Sequence, residues 1–175
     1  IFHPQRGLLN GFLTAVLGKL TVINWTGDQA LVFGGVPVAL IAVIIAYLWQ
    51  DLGYNLIIFI AALQAIPDSL KDAAIVDGAN GRQLFFNVIL PLLKPTILLA
   101  AILTMISAFQ VFDTIQVMTR GGPNEQTRVM VIDIYDNAFR FQRMGWAAAV
   151  SIVLFLLVLI ISLVQNRLLR SEWEY

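Results

Sequence analysis

The residues able to do chemistry in this chain are few, and their types already narrow what it does. There is one histidine, His3, and no cysteine among 175 residues, so thiol catalysis, disulfides and cysteine metal sites are excluded. His3 stands beside Pro4 as a loop residue with no Ser-His-Asp or metal-ligand grouping around it. A Gly-rich phosphate loop of the nucleotide-binding type is also missing from the sequence. The polar residues that stand out are instead set between apolar runs. Gln50, Asp51, Tyr54 and Asn55 cluster around Gly53, with apolar sequence on either side. A carboxylate at the centre of a membrane helix costs about 2.5–3.5 kcal/mol on insertion scales, so Asp51 needs a reason to be there. Two readings stand: a membrane helix broken at a polar midpoint, as transporters use to build solute sites, or a hairpin whose tip carries Asp51 into water.

The second constellation lies between Pro67 and Pro95. Pro67 stops the preceding helix, and Asp68 or Ser69 can cap the next, with Ser69 and Asp72 spaced as a shortened capping box. Leu70, Ala73, Ala74 and Val76 give a short helix with small residues on one side. Gly78 ends it, free to take positive φ and to let another backbone approach. Asn80-Gly81 is a further turn signal, and Leu84, Phe85, Val88 and Ile89 open the next membrane helix, with Pro91 and Pro95 in its first turns.

The elements that must hold these residues are membrane helices. The chain is 59% apolar and 13% charged, against roughly 45–50% and 25% for a soluble domain. Residues 30–50, 95–112 and 144–166 each lack Asp, Glu, Lys and Arg, and about 20 such residues span the hydrocarbon. A fourth uncharged run, 52–67, is short for a span by itself. Zero net charge gives no sign of a nucleic-acid partner. Lys and Arg near the span ends favour neither orientation. Ahead of the spans, a short helix is expected over 8–20, and Trp25 suits the headgroup level. Residues 119–124 form a compact turn, and Val131, Ile134, Tyr135, Ala138 and Phe139 recur at helical spacing in a surface helix over 127–141. The chain opens Ile-Phe-His-Pro without Met or a signal-peptide pattern, and is expected to be a piece of a longer protein.

The run from Asp72 to Pro91 resembles the EAA loop of binding-protein-dependent ABC importer permeases. That loop reads Glu-Ala-Ala, three residues, Gly, nine residues, then Ile-x-Leu-Pro. Ala73, Ala74, Gly78, Leu90 and Pro91 match at that spacing, while Asp72 replaces the Glu and Val88 the Ile. Asp77-Gly78-Ala79 is similar to the version in sugar and polyol permeases of the maltose and glycerol-phosphate type. Phe112-Asp113, Val117-Met118-Thr119 and Gly121-Gly122-Pro123 resemble the outer loop of that subfamily. Ala138-Phe139-Arg140 and Gly145-Trp146-Ala147 resemble the entry to its last helix, and His3-Pro4 through Asn10 the loop before its broken helix.

The resemblance implies an all-α, polytopic helical bundle, the C-terminal part of a permease domain in the cytoplasmic membrane of a prokaryote. Residues 1–29 and 113–143 are then outer loops, and 30–67 one interrupted membrane helix. Residues 68–83 are a cytoplasmic coupling loop, 84–112 and 144–166 membrane helices, and 167–175 a cytoplasmic tail. Asp72, Ala73, Ala74, Asp77 and Gly78 are implied to dock on an ATPase. Gln50, Asp51, Tyr54 and Asn55, with Thr104, Ser107, Phe109 and Gln110 from the helix after that loop, are implied to line the solute site. No catalysis or cofactor is implied for this chain; ATP and Mg would be bound by partner ATPase subunits. The other implied partners are a second permease, an extracytoplasmic solute-binding protein, a sugar or polyol, and lipid. The competing readings are an importer for another solute, such as an amino acid or phosphate, and a piece of a membrane channel or enzyme.

Overall fold

A computed structural model describes residues 2–3, 6–17, 23–27, 32–33 and 36–169 of the chain. Helix α1 (Leu8–Leu17) is followed by a two-residue antiparallel pair, β1 (Val32–Phe33) and β2 (Val36–Pro37). Then come α2 (Val38–Gln64), α3 (Asp68–Val76), α4 (Gly81–Leu84) and α5 (Leu90–Phe109). Helices α6 (Asp113–Met118), α7 (Met130–Tyr135) and α8 (Met144–Leu169) complete the order. Two π-helical turns, Phe85–Ile89 and Asp136–Arg140, lead into α5 and out of α7. Among the described residues, three helical stretches are long and apolar enough to cross a membrane: Val38–Gln64, Gly81–Met118 and Met144–Leu168. The expected all-α, membrane-spanning class is what the chain forms.

The expected interruption of the first span is not there. α2 runs unbroken for 27 residues through Gln50, Asp51, Gly53, Tyr54 and Asn55, and the hairpin alternative fails with it. The polar groups do not open the helix because they are satisfied along it. Asn55 Nδ2 donates to the Asp51 backbone oxygen at 3.1 Å and to Asp51 Oδ2 at 2.8 Å, one turn back. Gly53 costs about 1 kcal/mol relative to Ala, too little to break a long apolar helix. At 1.5 Å per residue, α2 is about 40 Å long, more than the roughly 30 Å of hydrocarbon, so it tilts or projects beyond it.

Smaller corrections follow from local backbone chemistry. α3 begins at Asp68 with extended Pro67 at its N-cap and no side-chain cap, so the Ser69–Asp72 capping box does not form. A full capping box forms one helix later instead. Asn80 accepts from the Gln83 amide and Gln83 Oε1 from the Asn80 amide, both at 2.9 Å. The next membrane helix therefore starts at Gly81, before the expected Leu84, and α5 ends at Phe109. Its π turn, where the Leu90 amide reaches back to the Phe85 oxygen, directly precedes Pro91, which has no N–H to return. The helix expected over 127–141 spans 130–140, its last turn wound as π. Phe139, expected among its packing residues, is exposed, while Ile132 and Asp136 are buried. α1 ends at Leu17; residues 18–20 of the expected helix lie outside the described residues.

The chain divides into two compact units. Unit 1 comprises residues 1–49 and 110–154, and its core is Val43, Ile115 and Ile132, with Val111, Phe112, Met118 and Val129 packed on them. Unit 2 comprises residues 50–109 and 155–175, and Leu93, Ala100 and Val158 are its buried positions within the spans.

Candidate functional site

Inside unit 2 the polar residues of α2 meet the following long helix at one point. Asp51 and Asn55 are one turn apart on α2, so their side chains share a face. Across from them, Thr104 Oγ1 accepts from Asn55 Nδ2 at 3.0 Å and donates to Asp51 Oδ2 at 3.2 Å. With the 2.8 Å bond from Asn55 to Asp51 Oδ2, the three side chains close a ring of hydrogen bonds. All three are half-buried. Asp51 Oδ1 takes no hydrogen bond from the described residues and stays open to accept one.

The remaining expected solute-site residues distribute unevenly around this ring. Gln50 and Tyr54 lie next to Asp51 on the same side of α2, both exposed. Ser107 is one turn after Thr104 and also exposed. Phe109, five residues after Thr104, falls about 140° around the helix and leaves that face. Gln110 lies past the end of α5, in unit 1. Sequence reasoning named the three ring members as separate candidates; their mutual contact is a tertiary fact, since 49 and 53 residues separate the partners of its cross-helix bonds.

The second candidate site is the segment around α3. Asp72, Ala73, Asp77 and Gly78 are exposed and Ala74 is half-buried. The helix closes with both bonds of a Schellman motif, Gly78 N to Ile75 O at 3.0 Å and Ala79 N to Ala74 O at 2.9 Å. Gly78 takes φ +83°, and a Cβ placed there would meet no atom within 4 Å. The requirement for glycine is thus conformational and does not come from packing within this chain. Leu70, Ile75 and Val76 are exposed apolar residues on the same short helix, Val76 at 86%. Asp68, in the first turn, pairs with Lys71 at 2.9 Å, and that bond holds its carboxyl below the usual carboxylate range.

Unit 1 carries a polar assembly that sequence reasoning did not single out. Thr127, only 1% exposed, donates to the Gly122 oxygen at 2.7 Å and shares a 2.7 Å hydroxyl contact with Thr119. These bonds fix the turn after α6, in which Arg120, Asn124 and Glu125 all take positive φ. Beyond it, Arg128 pairs with Asp133 at 2.9 Å, Asp136 at 3.4 Å and Glu125 at 3.5 Å. Arg140 approaches buried Asp136 at 3.2 Å as an ion pair rather than a directed hydrogen bond. The Asp133 hydrogen bond raises the Arg128 guanidinium above its ordinary range. The available signal was the alternation of opposite charges three to five residues apart from Glu125 to Arg140. Among the described residues, no group of acidic or histidine side chains is placed to hold a metal ion.

The comparisons with known proteins agree on one family. Residues 10–172 match the model of the binding-protein-dependent transport system inner membrane component. A probable ABC transporter permease protein, YurN of Bacillus subtilis, is 35% identical over 99% of this chain and 57% of its own length. The sn-glycerol-3-phosphate transport system permease protein UgpA of Escherichia coli is 35% identical over the whole of this chain and 56% of its own. The sulfoquinovosyl glycerol transport system permease protein SmoG of Agrobacterium fabrum is 33% identical over 98% of this chain and 53% of its own. The chain thus spans little more than half the length of these relatives.

Proposed function

Because the chain belongs to the family of inner membrane components of binding-protein-dependent transport systems, we propose that it forms part of the pathway by which an ATP-driven importer moves a sugar or related polyol across the cytoplasmic membrane. The relatives named for sulfoquinovosyl glycerol and sn-glycerol-3-phosphate support a polyol-bearing solute. In this reading the chain works with a second permease, alike or homologous, and two ATPase subunits that bind ATP and Mg. A solute-binding protein delivers the solute from outside.

The observation that carries the reading is α3 and its exit. A short helix joins two membrane-crossing helices and leaves Leu70, Ile75 and Val76 uncovered. Exposed apolar side chains on a loop helix are what a docking helix presents to a partner. The Schellman exit at Gly78 fixes the end of that helix, so displacement of α3 by a closing ATPase pulls on the following α4 and α5. Asp72, Ala73, Ala74 and Asp77 lie on or beside the docking helix, and α3 is then cytoplasmic.

Within the membrane, the solute path passes the ring of Asp51, Asn55 and Thr104. A neutral polyol needs hydrogen-bonding groups and an apolar or aromatic face, and Tyr54 stands beside the ring.

Gly78→Val tests the docking assignment. A β-branched residue at φ +83° carries strain of about 1–3 kcal/mol and obstructs a close partner. The full-length permease should still insert and co-purify with the second permease, while ATP-driven uptake falls at least ten-fold. Asp72→Ala should lower uptake less, because Asp72 makes no cap that its loss would remove. Wild-type uptake by Gly78→Val removes the assignment.

A further inference from the structure

The charge inventory around the ring points to a restriction on the solute. Across Val38–Gln64, Asp51 is the only Asp, Glu, Lys or Arg, and residues 95–109 and 144–166 contain none. The only formal charge these stretches bring to mid-membrane depth is therefore negative. It is also held in place, since Asn55 and Thr104 both donate to Oδ2. Oδ1, open among the described residues, accepts hydrogen bonds and offers none.

We propose that Asp51 is a specificity-determining residue that makes this pathway take uncharged polyhydroxylated solutes and reject phosphorylated or sulfonated ones. The proposal rests on the solute passing the ring of Asp51, Asn55 and Thr104. A sugar or polyol hydroxyl has a proton to donate to Oδ1. A phosphate or sulfonate oxygen has no proton to give and carries like charge. At an effective dielectric of about 20, repulsion between two like charges about 5 Å apart weakens binding by roughly 200-fold.

The test uses solute pairs that differ only in the charged group: sorbitol with sorbitol 6-phosphate, and glucose with glucose 6-phosphate. Saturation-transfer NMR on the assembled full-length transporter, without its solute-binding protein, reads their contact with the permease directly. The neutral member of each pair is expected to give a signal at least ten-fold stronger. Asp51→Asn, nearly isosteric and uncharged, should narrow that ratio to within about three-fold, and Thr104→Val should weaken the neutral signal. Assembly of each variant is read separately by co-purification with the ATPase subunits. Equal signals within the wild-type pairs, or a stronger one from the phosphates, overturn the exclusion of anions even if the variants still alter binding. Signals that are absent, or unchanged in both Asp51→Asn and Thr104→Val, remove the solute site itself. A transporter that no longer assembles with Asp51→Asn makes the ring a helix clamp and overturns the specificity role.

Discussion

Thr127 shows how much a single side chain decides in the turn after α6. Its hydroxyl is in a site only 1% exposed and serves both the Gly122 oxygen and the Thr119 hydroxyl. Thr119 Oγ1 also lies 3.2 Å from the Ile115 oxygen, an alternative acceptor for its single proton at the end of α6. Thr127→Val keeps the shape and leaves buried acceptors unpaired, at a cost of about 1–3 kcal/mol. Thermal unfolding in detergent should show the loss as a lowered Tm, and Thr127→Ser should recover most of it. An unchanged Tm in the valine variant makes water, rather than Thr127, the partner of those groups. Asp51 is the contrasting case, since its neighbours satisfy one carboxylate oxygen and leave the other open.

At the scale of elements, the stretch from α3 to α5 is a sequence of backbone devices, each with a residue that forces it. Pro67 admits an extended N-cap, Gly78 a positive-φ exit, Asn80 a capped restart and Pro91 a preceding π turn. Arg82 lies 5.9 Å from the ring of Phe86, and Phe85 and Phe86 meet edge to face, which packs the restart on itself. The Asn80–Gln83 box satisfies two backbone donors reciprocally, so Asn80→Ala should cost about 0.5–2 kcal/mol locally. Hydrogen exchange is the measurement: the Gln83 and Leu84 amides should exchange several-fold faster, with α8 unaffected. Equal protection in the variant means that the restart is held by packing and not by its cap.

For the whole molecule, the exposure of the apolar spans is the governing fact. Trp49, Ile57, Phe155 and Ile160 are all more than half exposed in this chain by itself. Lipid covers such residues, and so do other membrane helices of an assembly. Purified alone and placed in vesicles, this chain should move no sugar or polyol with or without ATP. Radiolabelled uptake checks this, and ATP-independent flux through the isolated chain refutes the importer reading.

What the sequence by itself determined was set by local or strongly periodic physics. Apolar runs of span length made 144–166 legible as a membrane helix, because every backbone group must be paired inside lipid. Gly78 declared its turn, since glycine there avoids a steric penalty that other residues pay. The fixed spacing from Ala73 to Pro91 identified the family that the comparisons bear out. The continuity of α2 was not legible, because Gly53 and four polar residues in a row of seven read equally as a break or as a hairpin tip. It was decided by Asn55 bonding back along its own helix and across to Thr104, a partner 49 residues away. The capping box likewise moved from Ser69 to Asn80 because the chain needed its start signal after Gly78. The pairing of Arg128 with Asp133 and Asp136, five and eight residues on, and the burial of Asp136 also waited on the fold, because those spacings are not the three or four residues that bring side chains together on one helix.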